Sequence, residues 1–114
     1  MHDHRMIRER LDELREGMRR RGKLAVLETI LAETETLEQA RRRYVQAVEE
    51  LKAKRNVVSQ EVGRRKRRGE NADALMDESR ALGDEIAGLD AQLASTQQRL
   101  DSLLMEIPNI TRPD

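Results

Sequence analysis

The sequence predicts an all-α protein: a long antiparallel two-helix coiled-coil hairpin, with short N-terminal helices packed at its base. Three observations predict it. Leucine and isoleucine recur at alternating steps of four and three along residues 72–107, the spacing of a coiled-coil seam rather than of a broad globular face. The only prolines are Pro108 and Pro113, so proline interrupts no helix before Ile107. Charged residues make up 39% of the 114, Tyr44 is the only aromatic, and Phe, Trp and Cys are absent. A compact globule or a β-sandwich fills its middle with large side chains, whereas a charged chain rich in Leu, Ala, Glu and Arg suits long, thinly packed helices.

The elements follow in chain order. In residues 1–35, Ile7, Leu11, Leu14 and Met18 keep helical spacing, and Gly22 after Arg19-Arg20-Arg21 reads as a helix end with cations in its last turn. Leu24, Leu27, Ile30 and Leu31 form a second apolar set. These short helices are expected to pack on Leu100, Leu103, Leu104 and Ile107. Residues 36–68 form the first arm helix, with a seam of Leu37, Arg41, Tyr44, Val48, Leu51, Arg55, Val58 and Val62. Arg41 and Arg55 weaken that seam, and Ala40 and Ala47 widen it. Residues 69–71 are the turn: Gly69 suits the left-handed conformation that ends a helix, and Asn71 suits capping the next one.

Residues 72–107 form the second arm helix, with Leu75, Ser79, Leu82, Ile86, Leu89, Leu93, Thr96, Leu100, Leu103 and Ile107 on its seam. A turn this short makes the helices antiparallel. The two seams are then in phase: Val62 with Leu75, Leu51 with Ile86, Val48 with Leu89, Tyr44 with Leu93 and Leu37 with Leu100 all have numbers summing to 137. A helix from Leu37 to Arg68 would reach roughly 47 Å at ~1.5 Å per residue, with a core too narrow for a pocket. The arm domain is thus 1–107, and 108–114, with its two prolines, reads as an extended linker toward a further domain.

Composition excludes several functions. With no cysteine there is no disulfide, thiol nucleophile or Cys-ligated zinc. The longest apolar run, Leu24 to Leu27, is far too short to span a membrane, and no signal peptide precedes the first charges, so a cytoplasmic protein is expected. His2 and His4 flank Asp3 but have no remote partner for a metal. The pairs Asp77-Glu78 and Asp84-Glu85 read as a solvated acidic face, and Gly83 and Gly88 stand singly rather than in a phosphate loop. No catalytic constellation is visible.

The informative feature is charge. Residues 41–68 hold eleven Lys/Arg against three Glu, a net of +8, while residues 69–106 hold two Arg against nine Asp/Glu, a net of −7. Two helices neutralising each other is one reading; a surface for a polyanion is the other. The cations cluster at Arg41-Arg42-Arg43, at Lys52, Lys54 and Arg55, and at Arg64-Arg65-Lys66-Arg67-Arg68. A single ring gives no set on which bases could stack, which disfavours single-strand readout, and cations on a stiff helix suit recognition of duplex backbone and 2′-OH groups. The best candidates for RNA contact are Arg64, Arg65, Lys66, Arg67 and Arg68, then Lys52, Lys54 and Arg55. Arg55 falls on the seam opposite Leu82, where snorkelling or internal pairing competes with RNA contact. A protein-interaction or scaffold hairpin is the alternative function.

Several motifs occur in a fixed order: Met6-Ile7-Arg8-Glu9, Arg21-Gly22, Arg55-Asn56-Val57-Val58-Ser59-Gln60-Glu61-Val62-Gly63, Lys66-Arg67-Arg68-Gly69-Glu70, and Ile107-Pro108-Asn109-Ile110. In that order and spacing they resemble the N-terminal tRNA-binding arm of seryl-tRNA synthetases, over essentially the whole chain. Two departures stand out. Arg10-Leu11 occupies the place where the family often has Asn-Pro, which leaves a continuous first helix open, and Thr111-Arg112-Pro113-Asp114 differs from the family's usual exit. The resemblance implies an arm that grips the long variable arm and elbow of serine tRNA by backbone contacts, and selenocysteine tRNA where that exists. It implies a homodimer formed through a class II catalytic domain that uses ATP and Mg²⁺. None of the three class II motifs occurs here, so the fragment is expected to be non-catalytic.

Overall fold

A computed structural model describes residues 4–112. It contains two helices, α1 from His4 to Arg67 and α2 from Asp73 to Thr111. His2, Asp3 and Pro113 lie outside the described residues. The chain divides into two compact units, one of residues 37–100 and one of residues 1–36 with 101–114.

The unit of residues 37–100 is the arm. Its two helices are antiparallel, joined at a turn whose hydrogen bonds explain both helix ends. Gly69 has φ 71°, the left-handed region that only glycine enters without strain. That conformation lets Glu70 N–H donate to the Arg65 carbonyl at 2.9 Å and Gly69 N–H to the Lys66 carbonyl at 3.1 Å, the paired bonds of a Schellman ending. Asn71 Oδ1 then accepts from Asp73 N–H at 2.8 Å and caps α2. Asp73 stands in the first turn, where a negative charge meets the positive end of the helix dipole. Val48, Val58, Ala72, Leu82, Ile86 and Leu100 are buried. Every seam position of α2 is buried or half-buried, as is every one of α1 except Arg55. Arg55 meets Ser79 and Gly83 across the arm, pairs whose numbers sum to 134 and 138, close to the predicted 137. A groove is lined by Ser59 and Val62 from α1 and by Met76, Ser79 and Arg80 from α2.

The second unit corrects two expectations. Residues 1–35 do not form separate short helices, because α1 runs unbroken through Gly17 and Gly22. Gly22 does not take a positive φ, so no helix ending forms there. A glycine inside a helix costs only about 1 kcal/mol against alanine, which the arginines and leucines on either side outweigh. Nor does the apolar set of the first turns pack on the base: Ile7, Leu11, Leu14 and Met18 are exposed, and so is Leu104. The register gives the reason. Leu27 and Ile110, whose numbers also sum to 137, line one groove with Glu16 and Arg19, so Thr111 at the end of α2 is level with Val26, and among the described residues α2 does not extend far enough to oppose residues 4–15. Ile30 and Leu103, which do have opposing turns, are buried, Leu103 to 1% exposure.

The expected extended exit after Ile107 is also corrected, since α2 passes through Pro108 and continues to Thr111. So near the end, proline forfeits only its own bond to the Leu104 carbonyl. Thr111 Oγ1 donates to the Ile107 carbonyl one turn back at 3.0 Å, and Lys23 Nζ donates to the Arg112 carbonyl just past the helix at 3.4 Å.

Candidate nucleic-acid interface

The cations proposed from the sequence stand on the α1 side of the arm and on its turn, and the structure sorts them into three kinds. Arg64 and Arg65 share Glu61 on the preceding turn, at 2.9 and 3.5 Å. Lys52, Lys54, Lys66, Arg67 and Arg68 are exposed and have no carboxylate within ion-pair distance among the described residues. Arg55 is the third kind. Its Nε donates to Ser79 Oγ at 3.4 Å, and its guanidinium lies over Gly83, where an added Cβ would fall 2.9 Å from Cζ and Nη2. The seam arginine thus leaves the core sideways and lies across α2 on a notch that only a glycine leaves open. Sequence reasoning noticed both residues but not their pairing. The signal was available, because the register places Arg55 beside Leu82 and its neighbour Gly83.

These cations do not share one face. In a coiled-coil helix, residues seven or fourteen apart lie on the same flank. Lys52 and Lys66 therefore share one flank of α1 and Lys54 and Arg68 the other, each pair separated by about 21 Å at ~1.5 Å per residue. Nearer the base, Arg41 and Arg42 both engage Glu38, Arg41 through a two-point contact of 2.6 and 3.0 Å. The Arg41 hydrogen bond, working against desolvation and aided by the Arg41 and Arg42 charges, holds the Glu38 carboxyl below its ordinary range and raises Arg41.

From Leu37 to Ser95, every ion pair among the described residues joins positions three or four apart on one helix. No direct ion pair therefore joins the acidic helix to the basic one in this stretch, among the described residues. Exposed pairs of this kind contribute about 0.3–0.5 kcal/mol each, so they are ornaments of the helix surface rather than its support. Among the described residues no cluster of His, Asp or Glu could hold a metal ion, and no helix is long and apolar enough to cross a membrane. Asp77, Glu78, Asp84 and Glu85 are all exposed.

Residues 1–111 match the family model described as the seryl-tRNA synthetase N-terminal domain. The chain belongs to that family. As a seryl-tRNA synthetase N-terminal domain it has long curated relatives. It is 46% identical over all its residues to a serine–tRNA ligase of Gemmatimonas aurantiaca, of which it covers 27%. It is 42% identical to one of Thermomicrobium roseum, over all of this chain and 24% of that protein. It is 38% identical to one of Desulfitobacterium hafniense, over 96% of this chain and 25% of that protein. The chain thus spans about a quarter of the length of these relatives. No solved structure matches it.

Proposed function

We propose that this chain is the tRNA-binding arm of a serine–tRNA ligase. It recognises the long variable arm and elbow of serine tRNA through sugar–phosphate contacts and orients that tRNA for serylation by a class II domain outside these residues. The observation that carries the reading is the set of arm cations, Lys52, Lys54, Lys66, Arg67 and Arg68, that no carboxylate neutralises among the described residues. They stand on a helical pair with one ring, Tyr44, which favours backbone capture over base stacking. The family, and the serine–tRNA ligases to which the chain is similar, support RNA as the polyanion. ATP and Mg²⁺ belong to the ligase domain, and no residue here is assigned to them. A homodimer formed by that domain, a cytoplasmic location and selenocysteine tRNA as a second cargo complete the proposal.

The test is a salt-dependent titration of the chain with two transcripts, serine tRNA and a tRNA with a short variable loop. Tighter binding of the first is expected, with log affinity falling linearly as log salt rises. Reversing charge at Arg67 and Lys66 should weaken binding and flatten that slope. An arm that ignores both transcripts and self-associates with concentration would instead be a protein-interaction hairpin.

A further inference from the structure

The two flanks of the arm differ in chemistry. The groove that Ser59 shares with Met76 and Arg80 identifies one of them. Lys52 and Lys66 lie seven residues before and after Ser59, and Gly83 lies seven beyond Met76, so all belong to that flank. The Arg55 guanidinium joins them because it rests on Gly83. Asn56 and Gly63, three residues before Ser59 and four after it, fall on the same side. The Arg55-Asn56-x-x-Ser59-x-x-x-Gly63 motif therefore presents all four of its named residues on one flank.

Charge follows the same division. Between Lys52 and Arg68, and over the facing stretch of α2, this flank holds Lys52, Arg55, Lys66 and Arg80 against one carboxylate, Asp73. Arg80 touches Asp77 only at 3.8 Å, with both side chains about three-quarters exposed. The opposite flank holds Lys54, Arg64 and Arg68 against Glu61, Glu78 and Glu85, and Arg64 is already bonded to Glu61. One side is cationic and the other is balanced. The cationic side is also low in relief. An added Cβ on Gly63 would meet nothing within 4 Å, so packing gives no reason for a glycine that weakens its helix.

We propose that this flank is the face of the arm that takes the RNA sugar–phosphate backbone. Arg55, resting over Gly83 with its Nε 3.4 Å from Ser79 Oγ, is a phosphate ligand already laid on this flank before RNA arrives. Lys52, Lys66 and Arg80 supply mobile cations around it. Ser59 and the bare surface at Gly63 admit a ribose close to the helix, where a hydroxyl can meet a 2′-OH. Ser59, Gly63 and Arg80 thereby join the candidates named from charge alone. Lys54 and Arg68 face away from the RNA. The inference rests on the RNA-binding reading above and adds to it a side.

Two double variants of equal charge change test it: Lys52→Glu with Lys66→Glu, and Lys54→Glu with Arg68→Glu. The purified chain and each variant are titrated with a serine tRNA transcript at several salt concentrations, with helicity and Tm measured in parallel. The first pair should lose at least tenfold more affinity than the second and reduce the salt slope by about two phosphates' worth. Gly63→Ala should raise Tm and lower affinity. Equal losses from the two pairs, a larger loss from the second, or a stabilised Gly63→Ala with unchanged affinity would overturn the flank assignment and leave RNA binding in place. Failure of the unaltered chain to bind would remove the RNA reading and this inference with it.

Discussion

The Arg55 seat makes a quantitative prediction through Gly83→Ala. An alanine Cβ at that position falls 2.9 Å from Cζ and Nη2 of Arg55 and 3.0 Å from Nη1, closer than side-chain carbons approach other atoms. What it meets is the far end of a flexible side chain rather than backbone, so the guanidinium moves and the helices stay. The helix gains about 1 kcal/mol from replacing an interior glycine. The displaced guanidinium gives up a long bond to Ser79, of 3.4 Å and partly exposed, at a cost of about 0.5 kcal/mol, the low end for a hydrogen bond. The net is a stabilisation of about 0.5 kcal/mol, which for a domain of this size raises Tm by about 2–4 °C. In an Arg55→Ala background nothing is displaced, so the same Gly83→Ala should gain the full ~1 kcal/mol. The difference, a coupling of about 0.5 kcal/mol, is the signature of the seat. The assay is urea unfolding followed by helical circular dichroism for all four members of the cycle. A loss of more than about 1 kcal/mol on Gly83→Ala would mean the helices themselves collide. An equal gain in both backgrounds would mean the guanidinium does not rest there at all.

Three further outcomes are expected. Gly69→Ala should destabilise the arm by about 1–2 kcal/mol, because φ 71° is strained for any residue with a Cβ, and hydrogen exchange should localise the loss to the turn. Leu103→Ala should cost about 2–5 kcal/mol in a denaturant titration, since that side chain is 1% exposed, while its neighbour Leu104→Ala should stay within about 0.5 kcal/mol. Glu38 is held below its ordinary 4.5, so its contribution is complete above that value and is lost as pH falls through the lower folded value. Thermal melts in the acid range should therefore show a shallower acid decline for Glu38→Gln, and an identical decline would dismiss the Arg41 contact.

Much of the arm was legible in the sequence because its information is local. A leucine every three or four residues reports burial directly, and all ten seam positions from Leu75 to Ile107 are buried or half-buried. Gly69 and Asn71 were legible because turn chemistry is decided by the backbone of a few residues. The first third of the chain was read wrongly at Gly22, where the preference for a helix end is worth about 1 kcal/mol and the flanking residues outweigh it. The candidate interface was legible as a list of cations but not as a surface. Net charge in one dimension does not say that Glu61 occupies Arg64 and Arg65, nor that Lys52 and Lys54 stand on opposite flanks.

By itself the amino-acid order determined two antiparallel arm helices, their register and the turn between them, because apolar spacing and glycine geometry act within a few residues. The tertiary structure alone decided that Arg55 rests on Gly83 and that Thr111 ends α2 level with Val26. Each of these depends on which side chains meet across helices, and that is settled only when the second helix is in place.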